Sequence, residues 1–248
     1  MDMTLLQVAI EDGVATLTLD DPGTGNALSV PMVQALSATL RDLGGRDDLA
    51  ALVLTGRGAS FCSGAPRDLL LALAAQRHEP GDIRLAEDVL AFPVPVIAAM
   101  QGHGVGGGFA LGLCADVVCL AADARYGLPF LSMGFTPGMG STRLLEHVLS
   151  PALAHELLYT GELRRGSALR GTGGINHVLP SHEVLPRALD VARRIAAHAP
   201  DALRLLKRAI GLRRRIAFQE SHLAESLMHR VTFADTGIRA RIESGYAG

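Results

Sequence analysis

The sequence predicts an α/β fold with a helical C-terminal region, and three observations carry this. Short apolar, β-branched runs alternate with segments of helical period over the first half of the chain. Two of those runs, "LAALVLTG" from Leu49 and "VPVIAAMQG" from Val94, are almost continuously apolar, as strands covered on both faces require. From about Ala152 onward helical patterns dominate, with Pro151, Pro180, Pro186 and Pro200 as punctuation.

Taken in order, "LLQVAI" and "VATLTL" are split by "EDG" and predict a β-hairpin. "LSVPMVQALSATLRDL" follows, with Ser29 ahead of Pro31 and apolar residues at helical spacing, a capped helix. The strand at Leu49 leads through "GRGASFCSGA" to a helical stretch over 66–91. The strand at Val94 leads through a glycine loop to a short helix ending at Gly112. "ADVVCLAADARYGL" supplies two further strands, and "GSTRLLEHVLS" begins a run of helices. The expected organisation is one αβ core over residues 1–195 with a helical subregion over 196–248.

Composition narrows the function. The 248 residues are 48% hydrophobic and 4% aromatic with no Trp, which calls for a core of Ala, Leu and Val. With 23 basic and 25 acidic residues, neither a nucleic-acid footprint nor an acidic tail is signalled, so any polyanion contact is local. Cys62, Cys114 and Cys119 are odd in number and show no metal-ligand spacing with the histidines, so no metal is expected. "MDMTLLQVAIEDG" lacks a secretory pattern and no apolar run suits a membrane span, and the expected location is cytoplasmic.

Two Gly-rich loops, 56–65 and 102–108, each leave a buried strand and enter a helix, which exposes backbone N–H groups there. A pair of such donors from neighbouring strands can converge on one oxygen, the geometry needed for an enolate or a tetrahedral oxyanion. Glycine has no Cβ and admits that close approach.

On "NALS" (26–29), "FCSGA" (61–65), "VPVIAAMQGHGVGGG" (94–108), "ADVVCLAADARYG" (115–127) and "GFTPGMGSTRLL" (134–145), the chain resembles the crotonase (enoyl-CoA hydratase/isomerase) superfamily. The resemblance covers nearly the whole chain. It implies a spiral of ββα turns, a trimer that can pair into a hexamer, and a thioester bound by its pantetheine arm. It places the two oxyanion donors at the N–H groups of Ala65 and Gly107, and substrate contacts at Gly25, Ser63, Gly64, Gly106, Gly108 and Gly138.

Hydratases of that superfamily carry two glutamates as acid and base on water. One stands two residues beyond the Gly triplet and the other directly follows the proline of the "YGLPF" segment. Here the positions hold Ala110 and Phe130, and neither moves a proton. Since each acid or base contributes roughly 10²–10⁴-fold, efficient hydration is not expected. Decarboxylation fits instead, because loss of CO₂ leaves a dienolate that two N–H donors stabilise without a base. Ala110 and Phe130 would then pack against the substrate and strip solvent from its carboxylate.

A narrower resemblance points the same way. "IAAMQGHGVGGGFALG", "GFTPGMG", Phe130 and "LMHRVTF" resemble the crotonase-type decarboxylases of polyketide β-branching cassettes. This implies a 3-methylglutaconyl group on an acyl-carrier protein as substrate and a 3-methylcrotonyl-type thioester as product. No cofactor is implied beyond the phosphopantetheine or coenzyme A of the substrate. It gives His229 the proton or the positioning of the substrate, a task that suits imidazole. The lysine of that subfamily's lid aligns with Glu79, which leaves Arg77 or His78 to hold the substrate carboxylate, or the segment as a solvated loop.

His103, between two glycines, is expected to be satisfied locally, Cys62 to be packing, and Ser141 and Thr142 to cap a helix. The basic run "RLLKRAIGLRRR" (204–215) suits a solvated amphipathic face, a membrane-surface helix, or a contact for substrate phosphates or an acidic carrier. Two alternatives to the decarboxylase stand: a hydratase or isomerase with relocated acid and base groups, and a silent thioester-binding homologue.

Overall fold

The computed structural model describes residues 5–75 and 84–246. Strands β1 (Leu6–Glu11) and β2 (Val14–Leu19) pair antiparallel with Glu11 opposite Val14, so Asp12 and Gly13 form a two-residue turn. Their φ values of 48° and 76° are those the hairpin turn requires. Helix α1 (Val30–Gly44) starts at Ser29, whose Oγ accepts from the Met32 N–H at 3.3 Å, and it buries Met32, Leu36, Leu40 and Leu43 at helical spacing.

The chain then repeats one unit, a strand in each of two sheets followed by a helix. The units run β3 (Ala51–Gly56), β4 (Ser60–Cys62) and α2 (Arg67–Ala74) with α3 (Leu85–Leu90); β5 (Val96–Met100), β6 (His103–Val105) and α4 (Gly107–Leu113); then β7 (Val117–Ala121), β8 (Arg125–Gly127) and α5 (Ser141–Leu144). With β9 (Leu163–Arg165) and β10 (His177–Leu179) from further along the chain, the larger sheet has the order β1-β2-β3-β5-β7-β10 and is parallel beyond the hairpin; the smaller has the order β4-β6-β8-β9. β3 and β5 are buried along their whole length, which explains their continuous apolar sequence. This is the α/β spiral expected of the chain.

Three details differ from expectation. Each of the two glycine loops contains a strand, β4 and β6, and the region beyond Ala152 contains β9 and β10 between α6 (Pro151–Thr160) and α7 (Ser181–Ala196). Three residues are too few for an alternating pattern to show. The stretch 66–91 resolves into α2 and α3, with residues 76–83 outside the described ones.

The C-terminal region is α8 (Pro200–Phe233), 34 residues long, and α9 (Ile238–Gly245). Its basic run is a solvated face only in part: Arg208 and Arg213 are exposed, while Arg204, Lys207 and Arg214 reach the core. Lys207 is buried, and its Nζ meets Asp116 at 2.5 Å, while Asp116 also accepts from the Val96 N–H at 2.8 Å. Arg214 donates to the carbonyls of Leu113 (2.7 Å) and Ala115 (3.1 Å), and Arg204 to that of Arg46 (3.0 Å). The cations dock the helix on the core, and Leu206, Ile210, Ile216, Leu223, Leu227 and Val231 are left exposed. At 100° per residue these six fall on one face. No described helix is long and apolar enough to cross a membrane.

Candidate active site

Parallel pairing of β4 with β6 brings the two glycine loops side by side. Gly64, at φ 83°, faces β6 so closely that a Cβ there would lie 2.6 Å from the Val105 carbonyl oxygen and 3.3 Å from the Gly107 nitrogen. Gly106 takes φ 53° and ψ −123° to turn the chain into α4. Both conformations belong to glycine. The N–H groups of Ala65 and Gly107 donate to no acceptor among the described residues. They are adjacent, unpaired donors at the ends of neighbouring strands.

Both lie on the wall of a cavity of about 200 Å³ lined mainly by apolar side chains, from Leu28 and α2 on one side to Phe130, Phe135 and α8 on the other. Of the expected site residues, Ser63, Gly64, Ala65, Gly106, Gly107, Phe130, Gly138 and His229 line it. Gly25, Gly108 and Ala110 do not, and the structure gives them supporting positions. The Gly25 carbonyl accepts from the Ser63 N–H at 3.0 Å, so it shapes the loop from outside. A Cβ on Gly108 would lie 2.1 Å from the Cys62 carbonyl oxygen, so that glycine serves the packing of α4 on β4. Ala110 is buried within α4. Arg77 and His78, with Glu79, lie outside the described residues.

Phe130 stands in an aromatic wall. Its ring is 5.9 Å from Phe135, which stacks on Phe233 at 5.0 Å, and the His229 ring meets Phe233 edge-on at 5.6 Å. The Nε2 of His229 is 2.7 Å from the Thr136 carbonyl oxygen. A carbonyl only accepts, so Nε2 carries the hydrogen and Nδ1 is the nitrogen left for a ligand. Burial pushes the imidazole below its ordinary pKa, and this outweighs the upward pull of the Thr136 and Pro137 carbonyls. Gly138 makes room for the ring: a Cβ there would lie 2.9 Å from His229 Cε1.

Other residues of the site escaped the sequence reading. Glu225 is buried, lines the cavity, and accepts from the N–H groups of Gly140 (2.7 Å) and Thr142 (2.8 Å) and from Thr142 Oγ1 (2.8 Å). Burial raises its pKa against the pull of these donors. Glu225, rather than Ser141 or Thr142, therefore satisfies the start of α5, where Gly140 is the N-cap and no side chain of the segment caps. His222 and Ser226 share this helix face with His229 and also line the cavity. Tyr246 reaches the cavity from beyond α9, and its hydroxyl donates to the Ala65 carbonyl oxygen. A helical "LAESL" and a terminal Tyr carry no local signal for any of these roles.

The remaining candidates are settled locally. His103 is exposed and its Nδ1 accepts from the Arg125 N–H at 3.0 Å. The Cys62 thiol is fully buried and pushed up to about 12, which removes it as a thiolate.

The sequence profile of the Enoyl-CoA hydratase/isomerase family matches residues 9–247. The bacillaene synthase decarboxylase PksI of Bacillus subtilis is 33% identical over 239 residues, covering 96% of both chains. A putative enoyl-CoA hydratase of Thermus thermophilus is 34% identical over 247 residues, covering 95% of this chain and 97% of its own. Among solved structures, one from a dehydratase/decarboxylase enzyme couple of polyketide β-branching superposes with a TM-score of 0.94 at 32% identity, covering 99% of this chain and 100% of the other. The two glycine loops and their unpaired donors thus sit in a chain that belongs to the enoyl-CoA hydratase/isomerase family.

Proposed function

We propose that this protein decarboxylates a 3-methylglutaconyl-type thioester, carried on the phosphopantetheine of an acyl-carrier protein, to a 3-methylcrotonyl-type thioester in polyketide biosynthesis. The observation that carries the reading is the pairing of two free N–H donors, Ala65 and Gly107, with an apolar wall at Phe130. The similarity to a decarboxylase and to a polyketide β-branching structure supports it.

In the proposed step the bond to the carboxylate carbon breaks, CO₂ departs, and its electron pair passes into the conjugated thioester. The charge settles on the carbonyl oxygen between the two N–H groups, each worth roughly 3 kcal/mol to the transition state. A solvent proton taken up at His229 Nδ1 is then delivered to carbon. The step draws on no metal or cofactor beyond the substrate's own pantetheine arm.

Hydration or isomerisation with relocated acid and base groups is the second reading, because Glu225 places one carboxylate in the cavity. Against it, both Glu225 oxygens already accept hydrogen bonds from the Gly140–Thr142 segment. Intact-mass analysis of a carrier protein loaded with 3-methylglutaconate separates the readings. Loss of CO₂ supports decarboxylation, gain of water supports hydration, a displaced double bond in the NMR spectrum at unchanged mass supports isomerisation, and binding with none of these marks a silent thioester-binding module.

The protein is proposed to form a homotrimer, and the apolar face left exposed on α8 supports self-association through that helix.

A further inference from the structure

We infer that Tyr246 is a positioning residue for the Ala65 donor, an inference that rests on the oxyanion reading of Ala65 and Gly107. Its hydroxyl donates to the Ala65 carbonyl oxygen and its ring forms part of the cavity wall. The donor loop is otherwise fixed on its N-terminal side. Gly64 is pressed against Val105, and its carbonyl accepts from the Leu28 N–H at 2.8 Å. On the C-terminal side Pro66 offers no N–H of its own, and no backbone N–H among the described residues donates to the Ala65 carbonyl. The phenol is therefore what holds that end of the residue.

The Ala65 N–H lies in the peptide plane of the Gly64 carbonyl and the Ala65 C=O in the next plane, so the Leu28 bond and the Tyr246 bond together fix both planes that flank the Ala65 Cα and with them the aim of the donor. An oxyanion donor acts only when aimed at the place where charge develops, and a misplacement of about 1 Å costs up to roughly 10²-fold. The helix that delivers Tyr246 is itself anchored on both flanks of the cavity. Glu243 of α9 meets Arg67 of α2 at 3.5 Å, and a Cβ on Gly245 would lie 3.0 Å from Met133 Cγ. Tyr246 thus links the two cavity walls to the donor loop.

The test is Tyr246→Phe, which keeps the ring and removes only the hydroxyl. Butyryl-coenzyme A labelled with ¹³C at the thioester carbonyl is bound to wild type and variant, and its carbonyl stretch is recorded by difference infrared spectroscopy. This saturated probe has no carboxylate to lose, so the readout is independent of the reaction. The wild type is expected to lower the stretching frequency and the variant to lose much of that shift. With the carrier-bound substrate, kcat falls about fivefold to tenfold while KM and the melting temperature stay near wild type. An unchanged carbonyl shift in the variant, or a rise in KM and a fall in melting temperature alone, would overturn the role. No shift in the wild type would overturn the oxyanion reading and this inference with it. A wild-type shift lost in the variant, with no decarboxylation by either protein, would support Tyr246 and reject the reaction instead.

Discussion

The Nε2 of His229 donates to the Thr136 carbonyl oxygen across 2.7 Å, and that one bond decides which ring nitrogen faces chemistry. Nδ1 is left as the acceptor, in an imidazole that burial keeps neutral near pH 7. His229→Asn is therefore expected to slow turnover by roughly 10²-fold while thioester affinity stays within a few-fold of wild type. Single-turnover kinetics beside a binding titration check this, and wild-type turnover would remove His229 from the reaction.

The same burial gives stability a pH dependence. The folded-state pKa of His229 lies below the ordinary 6.5, so the unfolded chain binds a proton that the folded chain refuses. Stability contributed by the neutral ring is complete above pH 6.5 and is lost as pH falls below it. His177, whose pKa burial also lowers, adds to the slope in the same direction. Urea denaturation between pH 7.5 and pH 5 is expected to show a falling free energy, with a shallower slope in His229→Asn; equal slopes would contradict the assignment.

Glu225 holds the Gly140–Thr142 segment, which continues from Thr136 and Gly138 beside His229. In Glu225→Gln an amide nitrogen replaces an accepting oxygen and leaves a donor unpaired, at a cost of about 2 kcal/mol. The expected result is a lowered denaturation midpoint together with a reduced kcat, and a stable variant of full activity would show that the segment holds itself.

Leu223 and Leu227 belong to the exposed face of α8, at 68% and 54% of their full exposure. Replacing both by Glu is expected to leave the fold intact and convert the proposed trimer into monomers in light scattering after gel filtration. An unchanged mass would place the subunit interface elsewhere, or show that none exists.

The parts of the fold and site that were legible in the sequence are those whose meaning is local. The hairpin turn at Asp12–Gly13, the Ser29 cap and the unbroken apolar runs of β3 and β5 each state their structure within a few residues. The donor loops are legible because close backbone approach demands glycine at Gly64 and a positive φ demands it at Gly106. The same demand misleads at Gly108, whose missing side chain makes room for Cys62 rather than for a ligand. Glu225 and Tyr246 were invisible, since each acts on a loop 83 or more residues away. Lys207 and Arg214 look like surface charge until Asp116 and the end of α4 are brought beneath α8.

The central claim is that the backbone, rather than an acid or base side chain, drives the bond cleavage. Gly107 is the first residue of α4, a position where proline is tolerated, so Gly107→Pro removes the N–H with limited damage to the helix. The decisive measurement is the rate of CO₂ loss from the 3-methylglutaconyl carrier protein by wild type and by this variant, with thioester binding measured alongside. Loss of about 3 kcal/mol of transition-state stabilisation predicts a fall of roughly 10²-fold or more in the rate at saturating substrate. Turnover by Gly107→Pro at the wild-type rate would contradict the account.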